Sequence, residues 1–413
     1  MKASDYIAFF LEKKGIRHVF ELSGGMITHI LDSLNQKTNI NIITMHHEQG
    51  AAFAADAYGR VTGLPGVALA TSGPGATNLI TGIGSCYFDS VPAVFITGQV
   101  NRHEQKGDRK IRQLGFQETD IIAMITPITK ACFKIQDENE LPEILERGFL
   151  IACEGRPGPV LIDIPMDVQR AEVYEPKTEN IINESSDPSE DDLKSLIKDI
   201  HNAQSPLLLV GRGVRASFSI DELNAFLGKT NIPVVTTLLA VDAVGFDNPA
   251  RFGFIGSYGN RWANIAFGEC DLLIVVGSRL DIRQTGADTK FFENRKIYHI
   301  DCESGEINNR VKYCIPVITD AKKFFREFNS LATPENFAKS NAWYQHISDL
   351  KKQWPDANEL DPKGINPNYF MHVLSQYSTD ARCYVTDVGS HQMWAAQSIE
   401  ISENQLFLTS GGM

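Results

Sequence analysis

HHEQGAAFAADAYGRVTGLPGVALATSGPGATN, residues 46–78, sets the fold of this chain. Its first half is Ala-rich with helical spacing and ends at Gly63, a stop signal. The apolar run VALAT then starts at Val67, and TSGPGATN follows it at once and opens a second helix. Helix, apolar strand, Gly-rich turn and helix are the units of an open parallel sheet covered on both faces.

Outward from this stretch the pattern repeats. HVFEL (from His18), INIIT (from Ile40), AVFIT (from Ala93) and VLIDI (from Val160) read as strands, with GGMITHILDSLNQ as a helix. The fold class expected is α/β, as successive open parallel-sheet domains. The segments after about residue 192 repeat it with PLLLVGRG (from Pro206), IPVVTTLLA (from Ile232), DLLIVVGSR (from Asp271) and KIYHID (from Lys296). Two of these strands run directly into Gly-containing turns, where open α/β sheets carry their binding loops. Polar stretches at 171–192 and 336–368 read as linkers. The expected domains are therefore 1–170, 193–335 and a third beginning at 369. The third opens with CYVTDVGSHQMWAAQ from Cys383 and stops at SGGM, so the chain is expected to be a fragment of a longer protein.

At 413 residues the chain is too long for one ordinary core, which agrees with several domains. Hydrophobic residues make up 43% and charged residues 22%, a soluble globular balance. A net charge of -12 argues against nucleic-acid binding, because a phosphate backbone wants a basic surface. No apolar run approaches a membrane span, and MKASDYIAFFLEKKG has charges throughout rather than a signal-peptide core, so a cytoplasmic enzyme is expected. The seven cysteines form no CxxC pair and read as small core residues rather than a zinc site or disulfide framework.

Glu48 stands out within 46–78. A carboxylate at a helix start is favoured by the macrodipole, and that alone accounts for it. The alternative is a functional carboxylate whose pKa burial raises, ready to share a proton with a ring nitrogen. TSGPGATN likewise reads two ways. Gly73 and Gly75 permit a tight turn, with Thr71 or Ser72 capping and Pro74 at the helix start, while Gly-rich loops in this place also hold ligands. It is neither GxGxxG nor a P-loop.

These pieces resemble, together and in order, the large catalytic subunit of acetolactate synthase and related thiamine-diphosphate enzymes. The matching stretches are ELSGG near Glu21, HHEQGAAFAADAYGRVTG, TSGPGATN, GFQETD from Gly115, TPITK from Thr126, GRPGPVLIDIP from Gly155 and VGSHQMWAAQ from Val388. The resemblance implies decarboxylation of pyruvate and ligation of the two-carbon unit to a second 2-keto acid, in branched-chain amino acid biosynthesis. It gives Glu48 the role of hydrogen-bonding N1′ of the cofactor's aminopyrimidine, so that the exocyclic nitrogen takes the proton from C2 of the thiazolium. Gly24, Gly25, Phe116 and Gln117 match residues facing the reacting centre. Ser72, Gly73, Pro74, Gly75 and Asn78 match the pyrimidine side.

A second resemblance, to FAD-binding segments, lies in the middle of the chain. It is carried by VVGSRLDIRQTG from Val275, HIDCESGEI from His299 and IPVITD ending at Asp320. The positions implied are Arg156, Gly211, Gly213, Thr237, Leu238, Gly256, Gly259, Gly277, Arg279, Asp281, Arg283, Asp301, Glu306 and Asp320. Arginines pair with a diphosphate, glycines admit it closely, and an acid after a strand binds a ribose hydroxyl. The other reading makes these charges surface pairs around strand ends. In the family FAD is kept as a structural element, and relatives without flavin share the domain fold.

Gly389, His391, Gln392 and Met393 match positions around the cofactor diphosphate and thiazolium. The GDG segment and later asparagine that bind Mg2+ in the family do not occur before Met413, so no metal residue is assigned and this chain is expected to bind the cofactor poorly. A homodimer or homotetramer and a regulatory small subunit are further implications of the resemblance. Departures touch the acceptor side. Met166 stands where the family has a lysine, Ser390 where it has glutamine, Ser23 where it has proline, IGSYGN replaces a GMHG run and RLDIR replaces RFDDR. An aldehyde or keto-sugar acceptor, or simple decarboxylation, is the alternative activity. A non-catalytic flavin- or partner-binding protein is the alternative outside enzymes.

Overall fold

A computed structural model describes residues 1–174, 187–333, 341–358 and 363–413. They fall into two compact units, Met1–Asn183 with Gly412–Met413, and Glu184–Gly411. In the first unit, six strands form one parallel sheet: β1 His18–Glu21, β2 Asn41–Thr44, β3 Gly66–Ala70, β4 Ala93–Gln99, β5 Ala131–Lys134 and β6 Pro159–Pro165. Their order is β2-β1-β3-β4-β6-β5. The chain leaves β1 toward one edge and, after β2, returns to the other side of it. The switch point therefore lies between β1 and β3, where loops diverge and open a crevice.

Strand alternation gives this sheet two different faces. Val67, Leu69, Val94, Ile96, Val160 and Ile162 pack against Ile7, Leu11, Ile30 and Leu34. Ala68, Ala70, Phe95 and Leu161 face the helix Glu48–Thr62 through Ala51, Ala52 and Ala55. That face is built for close approach. A Cβ on Gly66 would lie 1.9 Å from the Ala55 carbonyl oxygen, and one on Gly82 would lie 2.3 Å from Ala52 Cβ. The small residues of AAFAADAYG thus seat the helix on the sheet and place its first residue, Glu48, at the strands' C-terminal end.

The second unit repeats the plan with β7 Pro206–Val210, β8 Val234–Thr236, β9 Arg251–Phe254, β10 Leu272–Val276, β11 Lys296–Asp301 and β12 Ile315–Ile318. The order β12-β11-β10-β7-β8-β9, all parallel, puts its switch point between β7 and β10. Phe226, Phe324, Phe325 and Phe328 cover one face, and Trp262, Phe267, Phe292 and Ile347 the other. A further two-stranded parallel sheet, β13 Cys383–Val385 with β14 Leu406–Leu408, belongs to the same unit and brackets the helix Ser390–Ser398.

Three strands were not expected. β5 is a half-buried edge, β9 contains Gly253 at φ 88°, and β12 carries Pro316 on an outer strand. Each lacks the continuous apolar run that marked the others, and glycine and proline are tolerated at such positions.

Both expected linkers need correction. Residues 171–174 belong to the first unit, because Lys2 bridges to Glu172 and Val173 N donates to Met1 O at 2.8 Å. The helix Glu190–Asn202 also starts inside the expected linker; residues 175–186 lie outside those described. The stretch 336–368 holds the helix Asn341–Gln353. Trp343 and Ile347 are buried on the second sheet, and Trp343 Nε1 donates to the Pro206 carbonyl at 3.1 Å. A helix anchored by so few apolar residues has the composition of a linker, and only its packing distinguishes it. Of the seven cysteines, Cys86, Cys270 and Cys314 are buried as expected, whereas Cys153 is exposed. Among the described residues no helix is long and apolar enough to cross a membrane.

Candidate active site

The first switch point collects most of the residues singled out in the N-terminal part of the sequence. Glu48 is buried at the first helical position after His47, whose Nδ1 accepts from Gln49 N at 3.1 Å. Asn78 Nδ2 donates to Glu48 Oε2 at 2.9 Å. Glu48 Oε1 accepts no hydrogen bond among the described residues and lies where a Cβ on Gly75 would come within 3.2 Å. In the same Gly-rich turn, Ser72 Oγ is buried with no partner among the described residues.

Thr71 ties this loop to the turn after β1. Its Oγ1 accepts from Met26 N at 3.3 Å, and a Cβ on Gly24 would sit 2.5 Å from Thr71 Cβ. Gly25, in contrast, has open space on its Cβ side. Gly73 has φ 65°, a left-handed value that favours glycine, and Pro74 follows at the helix start. Gln117, itself at φ 63°, packs over this turn, since a Cβ on Gly73 would lie 2.9 Å from Gln117 Cβ. Phe116 is 78% exposed, so no wall of the site is formed by it within this unit. Ser23 donates to the buried Glu21 at 3.0 Å. Glu21 is thereby committed within the turn and is not a second free carboxylate.

Sequence reasoning missed the support beneath Gln117. Asp163, 1% exposed on β6, accepts from Thr97 Oγ1 at 2.6 Å and Gln99 Nε2 at 3.0 Å. Gln99 Nε2 also donates to the Thr119 carbonyl at 2.9 Å, two residues beyond Gln117. Burial pushes the Asp163 carboxyl up to about 6, against the two side-chain donors that pull it down. A charged residue inside the apolar run VLIDI was the available signal.

In the second unit the glycines converge and the charges disperse. Gly211 N donates to Val276 O at 2.9 Å, and Gly213 N to Gly277 O at 3.0 Å. A Cβ on Gly213 would meet Gly277 Cα at 2.6 Å, so backbones touch at the β7–β10 switch point. Gly256, at φ 125°, stacks on the Arg283 carbonyl, and Gly259 closes on that of Phe254. Thr237 is buried after β8, and Leu238 packs with the cluster around Val241 and Tyr384. Asp281 caps its helix by accepting from Arg283 N at 2.8 Å and has Arg279 3.6 Å away. Asp320 caps the helix Ala321–Leu331, and Asp301 accepts from Glu303 N in the turn that also contains Glu306. These carboxylates thus serve local turns and caps in the described residues. Arg156 belongs to the first unit, where its Nε donates to Ser90 Oγ at 2.7 Å.

Gly389 leads extended into the helix Ser390–Ser398, which carries His391, Gln392 and Met393. Gln392 is buried and its Nε2 donates to Thr409 Oγ1 at 2.6 Å and Ser410 O at 2.7 Å. Its Oε1 is buried without a partner among the described residues.

A buried carboxylate at the switch point of one parallel sheet, with a second parallel sheet of β12-β11-β10-β7-β8-β9 order after it, is consistent with the domains of thiamine pyrophosphate enzymes. Two family profiles agree: "Thiamine pyrophosphate enzyme, N-terminal TPP binding domain" matches residues 1–124, and "Thiamine pyrophosphate enzyme, central domain" matches residues 193–328. Within that class the chain belongs to the acetolactate synthase large-subunit family. It is 36% identical over its whole length to a probable acetolactate synthase large subunit of Methanocaldococcus jannaschii, covering 71% of that protein. It is also 36% identical over its whole length to acetolactate synthase 2, chloroplastic, of Nicotiana tabacum, covering 62%. With the acetolactate synthase large subunit of Lactococcus lactis it shares 34% identity over 98% of this chain and 69% of the relative. The chain spans about two thirds of these relatives' length.

Proposed function

We propose that the full enzyme decarboxylates pyruvate and joins the two-carbon unit to a second 2-keto acid, using thiamine diphosphate. The observation that carries this reading is Glu48, buried at the switch point with one oxygen held by Asn78 and the other without a donor among the described residues. That open acceptor lies on the side of the Gly75 backbone. A ring nitrogen of an aminopyrimidine is a partner that suits this open oxygen, and the orphaned Ser72 hydroxyl in the Gly-rich turn fits a polar ligand.

When bound, the cofactor supplies a carbon nucleophile and an electron sink. The chain's own residues do the rest. Glu48 offers Oε1 to a ring nitrogen, Asn78 fixes the carboxylate plane, and Gly24 and Gly75 let their backbones close on Thr71. Gln117, held on the Gly73 turn, orients a substrate carbonyl where charge develops on oxygen. Gly389, His391, Gln392 and Met393 would hold the cofactor's diphosphate side.

FAD is proposed for the second unit because Gly211, Gly213 and Gly277 let the turns after β7 and β10 close on each other at the switch point, the place where open α/β sheets bind dinucleotides. Arg279 and Arg283 are its proposed diphosphate partners. The relatives' designation as large subunits supports a small-subunit partner, and a homodimer or homotetramer is proposed with it.

Met166 favours a second reading of the acceptor. A thioether at the start of the helix Met166–Arg170 offers a carboxylate no cation, so a non-carboxylate carbonyl acceptor is the alternative. The test is full-length protein with thiamine diphosphate, Mg2+ and pyruvate alone, with products identified by mass spectrometry. Acetolactate supports the main reading. Acetaldehyde and CO2 without acetolactate overturn it in favour of the alternative.

A further inference from the structure

We propose that Glu118 is a positioning residue for Gln117, holding the turn that carries it by closing the preceding loop with one carboxylate. The assignment rests on the carbonyl-orienting role given to Gln117 above. Residues 115–118 form a tight turn, closed by Glu118 N donating to Gly115 O at 3.2 Å. Its third residue, Gln117, has φ 63°, a value for which glycine is the usual residue at this place in a turn. A residue with a Cβ persists there only where its surroundings hold it, and such residues cluster at functional sites.

The restraints on Gln117 come from both sides. Glu118 Oε1 accepts from Lys106 N at 2.6 Å and its Oε2 from Leu114 N at 2.8 Å, so one carboxylate ties the two ends of the loop before the turn. Gln113 Nε2 donates to the Glu118 carbonyl at 2.9 Å. The turn itself lies close on its support, since a Cβ on Gly115 would come 2.9 Å from the Glu104 carbonyl oxygen and 3.0 Å from Val100 Cγ1. On the far side, Gln99 Nε2 donates to the Thr119 carbonyl at 2.9 Å. Between these restraints Gln117 meets the Gly73 turn, on the loop whose Asn78 holds Glu48.

The residue type follows from the donors. Two backbone N–H groups converge on one side chain, and an ionised carboxylate accepts both with charge-assisted bonds. Burial works to raise the Glu118 carboxyl, yet the N–H groups of Leu114 and Lys106 hold it below the usual carboxylate range. Glutamine accepts at one oxygen only and turns its NH2 group toward the other N–H. Glu118→Gln therefore releases one end of the loop while keeping the size of the side chain.

The test is a double-mutant cycle in full-length protein loaded with thiamine diphosphate and Mg2+, with pyruvate consumption and amide hydrogen exchange as separate readouts. Glu118→Gln is expected to speed exchange within residues 106–119 and to lower kcat about tenfold, because small misplacements of an orienting group are costly. In a Gln117→Ala background the same substitution is expected to lower kcat by less than about twofold, since Glu118 acts through Gln117. A role confined to loop stability gives the same loss in both backgrounds, and that result overturns the proposal, as does unchanged exchange in Glu118→Gln. Wild-type kcat in Gln117→Ala alone sinks the reading of Gln117 itself, and the proposal with it.

Discussion

Asn78 donates to Glu48 Oε2 at 2.9 Å, joining the helix that follows β3 to the first turn of the helix that follows β2. The bond fixes the carboxylate from one side and leaves Oε1 toward Gly75. Everything proposed for the chemistry depends on that orientation.

Glu48→Gln keeps the volume and an acceptor for Asn78 but removes the carboxyl proton site. Turnover of pyruvate by the full-length, cofactor-loaded enzyme is expected to fall by at least about 100-fold, with stability changed by about 1 kcal/mol or less. Steady-state rates beside urea melts check both halves. A variant within threefold of wild type would remove Glu48 from the mechanism.

Gly24→Ala tests the cradle. The new methyl would lie 2.5 Å from Thr71 Cβ and 2.7 Å from its Cγ2, which forces the two turns apart. Overpacking of this kind costs about 1–3 kcal/mol. Adding Thr71→Gly is expected to recover part of that loss in denaturant titrations. A Gly24→Ala protein as stable as wild type contradicts the contact.

Asp163 gives a pH dependence with a defined sign. Its carboxyl titrates near 6 in the folded protein against 3.8 ordinarily, because burial disfavours the charged form despite bonds from Thr97 and Gln99. The neutral form is favoured on folding. Its stabilising contribution is thus complete below pH 3.8 and is lost as pH rises through about 6. The stability difference between wild type and Asp163→Asn is expected to move by on the order of 3 kcal/mol over this window. Urea titrations of both proteins between pH 4 and 7 measure it, and a pH-independent difference refutes it.

Trp343→Ala probes the helix that looked like a linker. Trp343 is 7% exposed, and its indole donates to the Pro206 carbonyl at 3.1 Å. Its removal is expected to cost the second unit about 3–5 kcal/mol. A loss below about 1 kcal/mol would mean that the helix contributes no core.

Local sequence was enough to reveal the α/β class, most of the central strands and the loop that carries Glu48. Fully buried parallel strands are continuous apolar runs, and the turns after them must be Gly-rich. GVALA and PLLLV are legible for that reason, while ACFK, RFGF and IPVI, on or near edges, are not. The resemblance to thiamine-diphosphate enzymes was equally legible, since its motifs are contiguous. Only the tertiary structure decided which residues meet. Glu48 and Asn78 are 30 residues apart, and Thr97, Gln99, Asp163 and Thr119 come from separate strands and a loop. It also decided that Asp281 and Asp320 cap helices and that Trp343 belongs to a core. Periodicity reports which side of an element is apolar. Hydrogen-bond partners and burial depend on strand order and crossover, which no local pattern encodes.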